Sequence, residues 1–314
     1  MLAVAPASAT HLGPGLVTTA GSWRRTGGVA HFTPRFAAVP GTTYAVLGRA
    51  DDREANWLEL ARVEVPATGQ LPLASVESID PGVDEVPANL LRFSVQFSAE
   101  MDEGSAAGHI RLLDESGTEL PGALMDMPPE LWDRARRRLT LLLEPGRIKR
   151  GLQPNLQAGP PLREGGDVTL VVDSGIRDAN GSPLLAEQRR TFRVGAPIRS
   201  RVDPTKWSVQ WPGENSNQLV VRFDRPLDRA LVGRHLQVID PKGHPVPGDA
   251  ALDRGAQLWT FTARDNVDEW RLRVDARLED LAGNSVRRVF DRDLQRPGDD
   301  SIDATEIILA PAQR

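Results

Sequence analysis

Phe97-Ser98-Ala99-Glu100-Met101-Asp102 returns 126 residues later as Phe223-Asp224-Arg225-Pro226-Leu227-Asp228, and the reading of the whole chain grows from that recurrence. At the same shift, without a gap, His109 meets His235, Asp114 meets Asp240, Gly117 meets Gly243 and Pro121-Gly122 meets Pro247-Gly248. Further on, a shift of 102 aligns Leu170 with Leu272, Asp173 with Asp275, Asp178 with Asp280 and Gly181 with Gly283. Two copies of one unit explain both registers. The fall in shift from 126 to 102 means that the first copy carries about 24 additional residues, all within 123–167.

Around these anchors the apolar residues run in short alternating or continuous stretches between clusters of Gly, Pro, Asn and Asp, with little helical periodicity. Strands are expected at 91–97, 110–113, 138–143, 168–173, 191–194, 218–223, 236–240, 258–262, 270–275 and 286–290. They are rich in Val, Leu, Phe and Trp and are bounded by turn formers such as Asp114-Glu115-Ser116-Gly117 and Asp240-Pro241-Lys242-Gly243. The expected class is all-β.

Composition narrows the function. The 314 residues carry 38 Lys and Arg against 43 Asp and Glu, a net charge of -5, and 40% are hydrophobic, which suits globular cores. The absence of Cys excludes disulfide scaffolds, cysteine-ligated zinc, iron–sulfur clusters and thiol nucleophiles. No apolar run approaches the ~20 residues of a membrane-spanning helix. The start, Met1-Leu2-Ala3-Val4-Ala5-Pro6-Ala7-Ser8-Ala9, ends in an A-x-A pattern without a positive or fully apolar stretch before it. It reads either as an unstructured start or as the tail of an incomplete signal peptide.

The combination of Phe-Ser/Asp-x-x-Met/Leu-Asp, a Gly-containing turn, a strand and Val-Asp-x-x-x-x-Asp-x-x-Gly resembles the bacterial Ig-like domain of the S-layer (SbsA-like) type. The fit is closest at Leu278-Glu279-Asp280-Leu281-Ala282-Gly283-Asn284-Ser285 and at Ile176-Arg177-Asp178-Ala179-Asn180-Gly181-Ser182-Pro183-Leu184. The resemblance implies tandem Ig-like β-sandwiches at 79–196, with the insertion near 123–167, and at 197–295. It further implies an exported protein, periplasmic or at the cell surface, whose modules act as spacers or adhesion units. It brings no catalytic residues. Residues 1–78 read as a divergent or truncated β module and 296–314 as a tail with an edge strand at 302–309. The stretches 66–72 and 80–87 read as linker.

Each local chemistry has a plainer reading beside it. Asp173, Asp178, Asp275 and Asp280, with Asn180 and Asn284, offer oxygens of the kind calcium takes, but their spacing is not that of an EF-hand. Asp-x-x-Gly is what a tight turn needs in any case, so no cofactor is expected. His109 and His235, equivalent in the repeat, lack further His or Cys at ligand spacing and read as packing or hydrogen-bonding residues. The chain has no G-x-S-x-G, H-E-x-x-H, P-loop or G-x-G-x-x-G. Of the seven Trp, Trp259 and Trp270 read as core, and Trp207 and Trp211 as plugs at an interdomain joint.

The insertion holds the strongest charge feature, Arg134, Arg136, Arg137, Arg147, Lys149 and Arg150. These residues are the candidate ligand loop for an extracellular or cell-envelope polymer or protein; the competing reading is a solvated sheet edge. Negative net charge and the lack of interleaved aromatics speak against nucleic acid. The expected function is a non-enzymatic structural or adhesive module. The alternatives are a carbohydrate-binding accessory module, which needs an exposed Trp platform, and a hydrolase with an unrecognised site, which needs a cleft gathering acids.

Overall fold

Alternation within the strands sets the layers. Phe93, Val95 and Phe97 are buried while Arg92, Ser94 and Gln96 are half-open, and Trp259, Phe261 and Ala263 are buried between half-open Leu258, Thr260 and Thr262. A period of two is what a strand with one covered face requires. The computed structural model describes residues 2–8, 13, 15–49, 56–65, 73–213, 216–265, 269–293 and 301–311. The chain is all-β and packs as two units, Met1–Pro72 and Leu73–Arg314. The expected linker at 66–72 lies outside the described residues.

In the first unit, β1 (Leu2–Pro6), β4 (Thr43–Gly48) and β5 (Leu58–Glu64) form an antiparallel sheet in the order β1-β4-β5. A separate hairpin joins β2 (Gly21–Thr26) and β3 (Val29–Pro34). The core is slight: Ala3, Ala5, Ala45 and Leu47, with Ala7, Leu16 and Trp57 partly covering it. Residues 2–6 are thus a paired strand rather than an unstructured start. Their small apolar side chains fit a thin layer against β4.

The second unit holds both copies. In the first, one sheet runs β10 (Leu131–Trp132), β11 (Arg138–Leu142), β8 (Arg92–Phe97), β6 (Val76–Asp80). The other runs β7 (Glu85–Pro87), β13 (Gln188–Gly195), β12 (Asp167–Val172), β9 (Ile110–Asp114). Their facing sides share one core, in which the Phe93 and Phe192 rings lie 5.3 Å apart. Residues 80–87 are therefore part of this sandwich rather than linker, since β7 pairs in parallel with β13.

The second copy repeats the order, but among the described residues it has no counterpart of β7. Its sheets are β17 (Gly248–Leu252), β18 (Leu258–Ala263), β15 (Gln218–Arg222), β14 (Ser208–Gln210), and β16 (Leu236–Ile239), β19 (Arg271–Asp275), β20 (Glu306–Leu309). Arg138 faces Gln96 and Leu258 faces Arg222, so at β11 and β18 the copies stand 120 residues apart. The additional residues thus enter at two places, about six before β11 and about eighteen between β11 and β12, where they form α1 (Pro145–Ile148) and α2 (Gln153–Ala158).

One expected strand is absent. Residues 286–290 pair with no strand, and β20 takes the place beside β19 that β13 holds beside β12. Val286 stays in the core of the second copy, whereas Phe290 packs against the core of the first. The segment is drawn across the boundary between the copies, and a later part of the chain closes the sheet.

Phe97 and Phe223 occupy matching core positions. Phe97→Ala and Phe223→Ala should each lower unfolding stability by roughly 3–5 kcal/mol. Urea denaturation of the two variants checks this, and a loss below 1 kcal/mol in either would place that ring outside a packed core.

Candidate functional site

The Asp-x-x-Gly turns explain how the two copies meet. In the first copy the Asp178 carboxylate accepts the amides of Asn180 and Ser182 at 2.8 and 2.9 Å, and Gly181 sits at φ 79°. In the second, Asp280 accepts the amides of Ala282 and Asn284, both at 3.0 Å, with Gly283 at φ 76°. Each turn is bridged to the other repeat motif, Asp178 to Met101 and Asp280 to Leu227. The residue after the aspartate differs, being Ala179 in one copy and Leu281 in the other.

That difference builds a joint. The Leu281 side chain is buried in the core of the first copy, and its carbonyl accepts the Leu91 amide at 2.9 Å. A side chain on Gly283 would collide with Leu91. Asn89 clasps the connecting segment, donating to the Ile198 carbonyl at 2.7 Å and accepting the Ile198 amide at 2.9 Å. Asn284 reaches the same carbonyl at 3.0 Å. On the far side, Gly82 lies so close to the β17–β18 turn that a Cβ would run into the Arg254 carbonyl.

Charged groups frame this apolar plug. Arg92 Nε stands 2.6 Å from Asp228 Oδ2, an ion pair without hydrogen-bond alignment, and its Nη2 meets Glu279. Asp228 also caps α3 (Arg229–His235) through the Ala230 and Leu231 amides. Arg229 Nε is 3.3 Å from Asp80. Asp291, 1% exposed, takes the Arg150 amide and Nε at 2.9 and 2.8 Å and Arg199 Nε at 3.0 Å. Burial works against its charge, but the Arg150 amide and the two guanidinium groups outweigh it and hold the carboxyl below the usual range. Asp280 shows the opposite balance. Burial pushes its carboxyl up to about 6, against the pull of Asn284, the turn amides and Arg225.

The six basic residues of the candidate loop fall into three settings. Arg134 is exposed, while Arg136 pairs with Glu100 at 3.0 Å and Arg137 donates to the Ser98 carbonyl; all three lie between β10 and β11. Arg147 donates to the carbonyls of Pro121, Ala158, Gly159 and Pro160 and so knits the insertion together. Lys149 Nζ sits 4.5 Å over the Phe290 ring, and Arg150 holds Asp291, so this pair faces the second copy.

The other candidates have local partners. Asp173 accepts the Gly175 amide and lies 3.3 Å from His109; Asp275 bonds Arg277 and lies 3.4 Å from His235. The backbone amide of Gly175 and His109 hold Asp173 below the usual carboxylate range, and chiefly Arg277 does the same for Asp275. His244 lies 3.2 Å from Asp240, and His31 sits in β3. Among the tryptophans, Trp207 packs edge-on to Phe223 at 4.7 Å inside the second copy, with Trp211 against the same core, so neither plugs the joint. Trp259 and Trp270 are core, Trp132 leans on Phe97, and Trp23 pairs with Phe32 on the hairpin. No helix among the described residues is long and apolar enough to cross a membrane.

Sequence reasoning missed Asn89, Arg92, Asp228, Leu281 and Asp291. The available signal was the mismatch between copies at positions flanked by matches, Ala179 against Leu281 above all.

Replacing Leu281 by the Ala of the first copy should remove roughly 2–5 kcal/mol and split the unfolding of 73–311 into two calorimetric transitions. A single unshifted transition would show that the plug contributes nothing. The raised carboxyl of Asp280 sets a pH dependence. Its folded form binds a proton more tightly than the unfolded form, so its stabilising contribution is full below about pH 4 and is lost as pH rises through about 6. The wild type should therefore gain more stability from pH 7 to pH 5 than Asp280→Asn does. Parallel pH profiles would remove Asp280 from the balance.

No protein-family model matches the chain, and no curated protein does. Among solved structures, the crystal structure of the S-layer protein rSbsC(31-844) is similar over 64% of this chain and 23% of its own length, at 13% identity and a TM-score of 0.29. Surface layer protein SbsC, domains 1–6, aligns over 77% of this chain and 26% of its own, at 13% identity and a TM-score of 0.31. Domains 4–9 of the same protein align over 78% and 34%, at 12% identity and a TM-score of 0.25. The chain spans about a quarter to a third of the length of these structures. Likeness at that level fixes neither family nor function.

Proposed function

We propose that the chain is a non-enzymatic structural module of an exported, cell-surface bacterial protein, in which two Ig-like sandwiches are locked together as one stiff spacer. The observation that carries this reading is the joint, where Leu281 of the second copy completes the core of the first and ion pairs close around it. Tandem modules that only share a covalent linker reorient freely, because interdomain contacts are usually small and polar. An apolar plug with a buried carboxylate clamp fixes the angle instead.

The charge chemistry supports the same reading. Acids at the joint neutralise arginines or cap turns and helices, and the acids of the small joint cavity of about 40 Å³, Asp80 and Asp228, each face a guanidinium. The Ig-like assignment and export rest on the repeat motifs. Adhesive contact is assigned to the turn between β10 and β11, where Arg134 is exposed, while Lys149 and Arg150 serve the joint.

The absence of Cys makes labelling clean. A Ser116→Cys, Lys242→Cys double variant, carrying a dye on an exposed turn of each copy, should give one narrow distance distribution by single-molecule energy transfer. Adding Leu281→Ala and Arg92→Ala should broaden it. A broad distribution in the otherwise unchanged protein would overturn the stiff spacer.

A further inference from the structure

Beside the joint runs an open groove of about 720 Å³, walled by β6, the start of β13, α3 and the β17–β18 turn. Four arginines from three elements line it: Arg189 and Arg190 of β13, Arg229 of α3 and Arg254 of the β17–β18 turn. Glu77 and Asp80 are the acids of the lining. Asp80 is committed to Arg229 at 3.3 Å, and Arg189 is paired with Glu187 at 2.6 Å.

Arg190 and Arg254 are left under-neutralised. Arg190 stacks over the Phe192 ring at 4.8 Å and donates to the carbonyls of Ile79 and Val83; of the two carboxylates that act on it, Asp84 is 3.7 Å away and fully exposed, and Asp80 is shared with Arg229. Burial, followed by the positive charge of Arg254, weakens the hold of Arg190 on its proton. Arg254 is exposed and forms no ion pair with a described residue, while its backbone is pressed onto Gly82. The fold therefore holds two like charges together at the rim of a groove, at an electrostatic cost that a bound anion would relieve.

The groove is far larger than a single ion and falls in the size range of small-ligand sites, about 300–1,000 Å³. Its remaining polar groups, Ser78, Gln188 and Glu77, suit hydroxyls. Guanidinium forks match the oxygens of carboxylate, sulfate and phosphate alike. We propose that this groove binds an anionic oligosaccharide, with Arg190 and Arg254 receiving its charged group and Ser78 and Gln188 its hydroxyls. The site is separate from the turn between β10 and β11; its walls come from both copies, so it rests on the locked joint of the spacer reading, which the dye-distance measurement tests independently of binding.

Calorimetric titration of the full chain with three probes tests it: a sulfated heparin tetrasaccharide, an oligogalacturonate and uncharged cellotetraose. At least one charged probe should bind, more weakly at high salt, and cellotetraose should not. Which charged probe binds separates sulfate from carboxylate chemistry. Arg254→Gln with Arg189→Gln, both exposed side chains, should weaken binding roughly tenfold at unchanged melting temperature. Arg24→Gln with Arg25→Gln, exposed residues of β2 remote in sequence from every lining residue, should leave it unchanged. Failure of both charged probes to bind, or equal loss in the two double variants, would overturn the proposal.

Discussion

A buried or nearly buried carboxylate must find donors, and in both copies the amides of its own turn provide them. Asp178 and Asp280 each fold four residues around one oxygen, and the next backbone hydrogen bonds fasten that turn to the Met101 or Leu227 motif. The sandwich closes around this latch, because it ties the end of one sheet to the start of the other. Once the turn is rigid, the side chain at its second position is aimed without further cost. In the first copy that position is Ala; in the second it is Leu, and the latch becomes a plug.

The clamps around the plug are ionic, and such pairs stabilise little in themselves, because desolvating the buried carboxylates offsets the attraction. Their contribution is directional. Arg92 bridges Asp228 and Glu279, and Asp291 gathers Arg150 with Arg199, so sliding or rotation of one sandwich against the other strands a charge. The apolar contact supplies affinity between the copies, and the charges supply one orientation. The raised carboxyl of Asp280 and the lowered one of Asp291 show two outcomes of burial. The Arg150 amide and two guanidinium groups outweigh burial at Asp291, whereas at Asp280 a single arginine and neutral donors do not.

Much of the fold was legible because the determining interactions are local. The alternation in 92–97 and 258–263, the Asp-x-x-Gly turns and the shift between copies are all written over short spans. The N-terminal strand was not legible, since Leu2–Pro6 is recognised only through its pairing with Thr43–Gly48. Nor was the fate of 286–290, whose apolar pattern suits a strand equally well. Tertiary competition decided it, because Phe290 gains the first copy's core and β20 is free to fill the sheet. The joint residues escaped for the same reason: Arg92 on a strand looks like any half-open residue until Asp228 and Glu279, remote in sequence, are brought beside it.

The substitution of β20 for the strand expected at 286–290 has a consequence for how the chain is made. β19 ends at Asp275, and the strand that completes its sheet begins at Glu306. Emerging from the ribosome, the chain presents Leu281 and Phe290 before Ile307 and Leu309. The second copy can therefore deliver Leu281 to the core of its neighbour while its own sheet still has an open edge. The contact that sets the angle between the copies can thus be complete before the second sheet is, and the open edge of β19 waits for the residues from Glu306 onward.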